Sequence, residues 1–444
     1  MKMTASISPA VVRKALLAGV ALCAAQLASA ASVTIATLNN PDMLELKKLS
    51  ASFEKANPDI KLNWVILEEN VLRQRATTDI TTNSGQFDMV AIGTYEAPQW
   101  GKRGWLAPMS NLPADYDLDD VVKTARDGLS SNGQLWALPF YVESSMTFYR
   151  KDLFAGKGLK MPDQPTYEQI KEFADKLTDK ANGVYGICLR GKAGWGENMA
   201  YASTVVNAYG GRWFDENWKA QLDTPEWNKA ITSYSDLLKK DGPPGASSNG
   251  FNENLTLMSS GKCAMWIDAT VAAGMLFNKA QSQVADKIGF AAAPVAVTPK
   301  GSHWLWSWSF AVPKTSRSQD AAKKFAEWAT SKQYIELVAK DEGWASVPPG
   351  TRKSTYARPE YKQAAPFGDF VLKAIETASP NDSTLTKVPY TGVQFVGIPE
   401  FQSFGTVVGQ AIAGVVAGQT DVASALKAGN AAADRAVHQA GYQK

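Results

Sequence analysis

From Val33 onward the chain alternates two periodicities, and this alternation limits the fold more than any other feature. Val33-Thr-Ile-Ala-Thr-Leu repeats every two residues and is rich in β-branched side chains, so it predicts a strand. Asn39-Asn-Pro-Asp follows as a turn. Residues 44–55 then place Leu46, Leu49 and Phe53 on one helical face. A second strand is expected over 60–67, a helix over 71–82 and a third strand over 87–92. That order predicts an α/β domain on a largely parallel sheet.

The pattern resumes after residue 142. Strands are expected over 146–149, 187–189, 262–267 and 288–292. Helices are expected over 167–177, 198–208 and 225–240, and later over 321–330, 334–339, 370–377, 406–417 and 421–436. Two α/β units of similar size leave a cleft between them, and such clefts are favoured ligand sites.

Residues 1–30 read as a removable export signal. Arg13 and Lys14 precede the apolar run 15–22, and Ala28-Ser29-Ala30 offers a small-residue cleavage site. The run is too short to span a bilayer. Cys23 follows Leu22, not the small residue a lipoprotein signal needs, so lipid anchoring is not expected. The 414 residues after Ala30 suffice for two cored domains. Without Lys2, Arg13 and Lys14, 43 basic residues balance 43 acidic ones. This speaks against a nucleic-acid groove or a polybasic membrane patch. The mature chain keeps Cys188 and Cys263, either as a disulfide in an oxidising compartment or as two buried thiols. With His303 and His438 as its only histidines, it lacks material for a His-rich metal site, and no cofactor is expected.

In open α/β sheets ligands meet the carboxyl ends of strands. Those ends carry Asn39 and Asn40, Glu68 and Glu69, Thr94, Tyr95 and Glu96, and Asp268, with Glu143 just before the strand at 146. The loop Arg190-Gly-Lys-Ala-Gly-Trp-Gly-Glu-Asn sets Trp195 between glycines that let backbone approach a ligand. Trp213 follows Gly210-Gly-Arg. Trp304, Trp306 and Trp308 recur at a spacing of two and share one strand face. Aromatic faces with charged acceptors suit a polyhydroxylated ligand, because carboxylates accept strong hydrogen bonds from hydroxyls. Catalytic signatures are weak: there is no Gly-x-Ser-x-Gly elbow, no zinc ligand set and no Gly-x-Gly-x-x-Gly after the first strand. A carboxylate pair such as Glu143 and Asp268 keeps glycoside hydrolysis open as an alternative.

Several long stretches carry a resemblance. They include Leu67-Glu-Glu-Asn-Val-Leu-Arg-Gln-Arg, Phe87-Asp-Met-Val-Ala-Ile-Gly-Thr-Tyr-Glu, Leu138-Pro-Phe-Tyr-Val-Glu-Ser-Ser, the Cys188–Asn198 loop and Trp266-Ile-Asp-Ala-Thr. Over nearly all of the mature chain they resemble the extracellular solute-binding proteins of ABC importers, the family of maltose-binding protein, and within it the sorbitol/mannitol branch. The resemblance implies a two-lobed periplasmic binding protein fold, type II-like, with the ligand cleft between lobes. Residues 31–141 and 301–347 would form the N-terminal lobe, and 142–300 and 348–444 the C-terminal lobe. It implies a monomer in the periplasm that binds a polyol or sugar, delivers it to an ABC permease in the inner membrane and is no enzyme. Glu68, Glu143, Glu197 and Asp268 would accept from ligand hydroxyls. Asn40, Asn198 and Arg352 would donate or bridge, and Tyr95, Trp195, Trp213, Trp304 and Trp306 would wall the site. Gly405 stands where maltose-binding protein has an aromatic platform, which speaks for a ligand smaller than a maltodextrin. Sorbitol, mannitol, arabitol and a monosaccharide stay open, as do transport and sensing.

Overall fold

The computed structural model describes residues 30–443; the export signal lies outside them, apart from Ala30. Ten strands are β1 (Ala31–Leu38), β2 (Ile60–Leu67), β3 (Met89–Ile92), β4 (Ser130–Ser131), β5 (Gln134–Leu135), β6 (Leu138–Glu143), β7 (Ser145–Arg150), β8 (Met265–Ala269), β9 (Ile288–Ala292) and β10 (Trp306–Ala311). The helices that matter for the site are α1 (Pro41–Ala56), α2 (Glu69–Thr82), α3 (Asn198–Ala208), α4 (Pro225–Asp241), α5 (Phe251–Ser259), α6 (Phe401–Val416) and α7 (Val422–Gln439).

The first lobe is built on a five-stranded sheet in the order β2-β1-β3-β10-β6. β1 runs parallel to β2 and β3, whereas β10 runs antiparallel to β3 and β6. The central strands are buried on both faces: Val33, Ile35, Met89, Val90 and Phe310 are fully enclosed. This is the pattern of a sheet covered by helices on both sides. The second lobe holds a three-stranded sheet, β8-β7-β9, with β7 antiparallel to both neighbours. Helices α6 and α7 pack together and onto α3 and α4.

The chain crosses between the lobes at one seam. β6 ends at Glu143 and β7 begins at Ser145. Ser144 and Thr270 exchange hydrogen bonds, from Ser144 N to Thr270 Oγ1 (3.0 Å) and from Thr270 N to Ser144 O (2.8 Å). The return strand passes His303 and Trp304 into β10, with Ser145 Oγ donating to Ser302 O (3.0 Å). A third pass lies beside the first, where Val142 N donates to Pro349 O (2.9 Å). Gly350 there has φ +74°, and a Cβ would lie 2.4 Å from Val142 O, so only glycine fits.

Two expectations are corrected in detail. Residues 187–189 do not form a regular strand; isolated parallel bridges join Tyr185 to Cys263 and Cys188 to Trp266. Helix α5 is an addition to the elements expected from sequence; Phe251, Leu255 and Met258 share its inner face. Its N-terminus is held locally, with Gly250 N donating to Glu253 Oε2 (2.9 Å).

Cys188 and Cys263 form a disulfide, with a Cα–Cα distance of 6.0 Å across 75 residues of sequence. This settles the alternative the sequence left open. The bond ties the start of the Arg190 loop to the entry of β8. Replacing both cysteines with serine should lower unfolding stability by about 2–4 kcal/mol, read from urea denaturation. An unchanged midpoint would show that the bond adds nothing to the fold.

Candidate functional site

The seam floors a cavity of about 150 Å³ between the lobes. The first lobe contributes the end of β1 (Asn39, Asn40), the start of α2 (Glu68, Glu69, Arg73), β6 (Tyr141, Glu143) and β10 (Trp306, Trp308). The second contributes Arg190, Lys192, the Trp195-Gly196-Glu197 loop and the start of α5 (Phe251, Asn252). Trp304 and Gln394 complete the wall. All three tryptophans of the 304–308 segment therefore face the same space.

The lobes are closed on one another. Lys192 pairs with Glu68, Asn252 Nδ2 donates to Asn39 O (2.7 Å), and Asn70 Nδ2 donates to Ala193 O (3.2 Å). The glycine-flanked loop is pressed against α2: a Cβ on Gly196 would come within 2.7 Å of both Arg73 Nε and Glu69 Oε1. A side chain there would have to displace the Arg73–Glu69 pair.

Two buried guanidiniums organise the walls. Arg73 donates to Glu69 Oε1 from Nε (3.1 Å) and Nη2 (2.8 Å), and to Glu96 Oε1 from Nη1 (2.9 Å). Its Cζ lies 4.1 Å from the ring centre of Trp195, 4.8 Å from Trp306 and 4.7 Å from Trp308. Such cation–π contacts gain strength when desolvated. Arg190 clasps Asp268, from Nε to both carboxylate oxygens (3.0 and 2.9 Å) and from Nη2 to Oδ1 (2.7 Å). Its Nη1 donates to Gly196 O (3.2 Å), which fixes the Trp195 loop.

The cavity wall holds polar atoms without hydrogen-bond partners among the described residues. These are Glu197 Oε2, Gln394 Oε1 and the indole N–H groups of Trp304 and Trp306. Glu143, 5% exposed, receives no hydrogen bond or ion pair at its carboxylate among the described residues. Buried polar groups are ordinarily satisfied, so this concentration marks a ligand position. Burial pushes the Glu143 carboxyl well above its usual range; Asp268, Glu69 and Asp42 add to the effect and Arg190 opposes it. Burial and the Glu69 charge push Glu197 up to about 8, against Arg190 and Lys192.

Of the residues expected from sequence, Asn40, Glu68, Glu143, Trp195, Glu197, Trp304 and Trp306 line the cavity. Asn40 is largely committed: it caps α1 through Met43 N (2.9 Å) and donates to the Tyr141 hydroxyl (2.8 Å). Glu68 caps α2 and sits at the rim. Five others lie off the wall of this cavity. Asp268 is wholly buried and saturated by Arg190, Trp266 Nε1 (3.1 Å) and Ala269 N (2.7 Å). Asn198 braces the loop from behind, accepting from Gly194 N (3.2 Å) and donating to Gly409 O (2.8 Å). Tyr95 backs Trp195 at 4.8 Å between ring centres and donates to Ile398 O (2.8 Å). Trp213 packs in the second-lobe core against Trp227, Phe401 and Phe404. Arg352, in the stretch expected to belong to the C-terminal lobe, is fully enclosed against the first lobe, donating to Tyr116 O (2.8 Å) and Thr330 O (3.1 Å). Sequence reasoning missed Arg73, Arg190, Lys192, Tyr141 and Gln394 as wall residues. Arg73 had one signal, its place one helical turn after Glu69.

The buried carboxyls give a pH signature. Glu197, pushed up to about 8, holds a proton in the folded chain that the unfolded chain releases above its ordinary carboxyl range, and burial shifts Glu143 in the same direction. Between about pH 5 and pH 8 the folded state therefore binds more protons, and stability falls as pH rises. The thermal midpoint of the ligand-free protein should drop across that window, and Glu197→Gln should shrink the drop; a rising midpoint would contradict it. Trp213→Ala should cost about 3–5 kcal/mol of stability, because the residue is core and not wall. A near-unchanged denaturation midpoint would return it to the surface of the site.

Comparison with known proteins fits this geometry. Residues 39–336 match the family model "Bacterial extracellular solute-binding protein". A mannitol-binding protein of Pseudomonas aeruginosa is 56% identical over 97% of this chain and 99% of its own. A solute-binding protein of Agrobacterium vitis, solved with bound D-mannitol, is 56% identical with a TM-score of 0.92, covering 94% of this chain and 100% of its own. One from Agrobacterium radiobacter, in complex with ribitol, is 26% identical with a TM-score of 0.80, covering 91% and 98%. The chain belongs to the bacterial extracellular solute-binding proteins, with the bilobed type II fold of that family, and it is a binding protein, not an enzyme.

Proposed function

We propose that this chain captures an acyclic sugar alcohol, a hexitol such as mannitol or sorbitol, in the periplasm and presents it to the permease of an ABC importer. The observation that carries this reading is the set of unpartnered polar atoms facing the cavity. It holds acceptors (Glu197 Oε2 and Gln394 Oε1) and donors (the indoles of Trp304 and Trp306), with the Glu143 carboxylate on the same wall. A hydroxyl both donates and accepts, so a chain of hydroxyls can satisfy such a mixed set. The tryptophan faces cover the C–H side of the ligand. About 150 Å³ is well below the several hundred Å³ of drug-sized pockets, which favours one small molecule over an oligosaccharide. The mannitol-binding and mannitol-bound relatives at 56% identity support the same ligand class.

Binding would act through closure. A ligand between Glu143 on the first lobe and Glu197 on the second gains its full set of contacts only when the lobes meet, so it shifts the population toward the closed form. The permease would then read the closed shape. A hydrolytic role for Glu143 with Asp268 loses support, since Asp268 is locked by Arg190 and lies off the cavity wall.

Calorimetric titration with mannitol, sorbitol, arabitol, glucose and maltose tests the reading. One-to-one binding of a hexitol, tighter than glucose and maltose, is expected. Glu143→Ala should weaken it by about 1.5–3 kcal/mol, roughly ten- to a hundredfold. Absence of polyol binding, or an unchanged affinity in the variant, would overturn the assignment.

A further inference from the structure

The charges enclosed around the cavity do not balance. Glu69, Glu96, Glu143, Glu197 and Asp268 are buried or nearly so. Two buried guanidiniums face them, and both are engaged: Arg73 by Glu69 and Glu96, Arg190 by Asp268. Lys192 stands at the rim and is shared between Glu68 and Glu197. Glu143 is left over. It sits at the end of β6, opposite Trp306 in register, and its carboxylate faces the cavity with no protein donor among the described residues. Burying an ionised carboxylate without a partner is costly, so the site must supply a ligand hydroxyl, a proton or a cation there.

We propose that the cavity also takes amino-substituted sugar alcohols, with the protonated amine seated against the Glu143 carboxylate. The inference rests on the polyol reading above and names a second ligand class for the same site. An ammonium is close in size to a hydroxyl, so it asks for no new space, and its three donors suit an acceptor-only partner. The groups that act on Glu143 are Arg190 and Asp268 from the second lobe, Glu69 on α2 and Asp42 on α1, and three of the four are acidic. A neutral hexitol brings no charge, so it leaves any proton on Glu143 in place. A primary alkyl amine arrives already protonated at neutral pH, as a lysine amine does. Its binding releases the Glu143 proton to solvent, and the charge is balanced by the ammonium.

Calorimetry at pH 7 in two buffers of different ionisation enthalpy separates these cases, using 1-amino-1-deoxysorbitol and sorbitol as probes. The amine is expected to bind one-to-one within about tenfold of sorbitol, and to release a proton that sorbitol does not. Glu143→Gln should weaken the amine at least about tenfold more than sorbitol, whereas Glu197→Gln should leave their ratio unchanged. The proton count on the unaltered protein stands even if a variant does not fold. Sorbitol binding without amine binding, or equal losses for both ligands in Glu143→Gln, overturns the proposal and leaves the polyol reading intact. Failure of every polyol to bind overturns both.

Discussion

Enclosing charge between two lobes is the constraint on which this architecture turns. A carboxylate taken out of water must find donors or a proton. Here most of the donors come from two arginines. Arg190 fixes Asp268 to the second-lobe loop, and Arg73 fixes Glu69 and Glu96 beside a tryptophan cluster. The two ion-pair systems meet at Gly196, whose backbone lies against Arg73 while its carbonyl accepts from Arg190. The closed form thus brings two rigid charge networks together around a small space.

Many polar residues serve this rigidity and not the ligand. Asn198 bonds the Gly194 and Gly409 backbones, so the loop that carries Trp195 has one position available. Tyr95 supports the indole from behind. The disulfide anchors the same loop at its root. Groups held this firmly lose little freedom on binding, which is the physical content of preorganisation.

The seam gives the lobes a common reference. Glu143 and Trp306, neighbours in register on β6 and β10, sit where the chain passes between the sheets. Trp195 and Glu197 sit on the second lobe. A ligand that touches both groups couples its own contacts to closure, and contacts such as Lys192 with Glu68 add to the closed form.

The sequence by itself determined the periodic elements, the α/β class and the collection of aromatic and acidic strand ends, because backbone period and side-chain burial are local consequences of residue order. Long stretches of motif also carried the family. Tertiary structure alone decided which polar residues face the cavity. Asp268 and Glu143 look alike as strand-end acids, yet an arginine 78 residues away in the chain saturates one and leaves the other free. Trp213 and Trp195 both follow glycines, yet one fills a core and the other a wall. Arg352 met the carbonyls of Tyr116 and Thr330 and never reached the cleft. Partnership of this kind depends on distances across the fold, which residue order does not state.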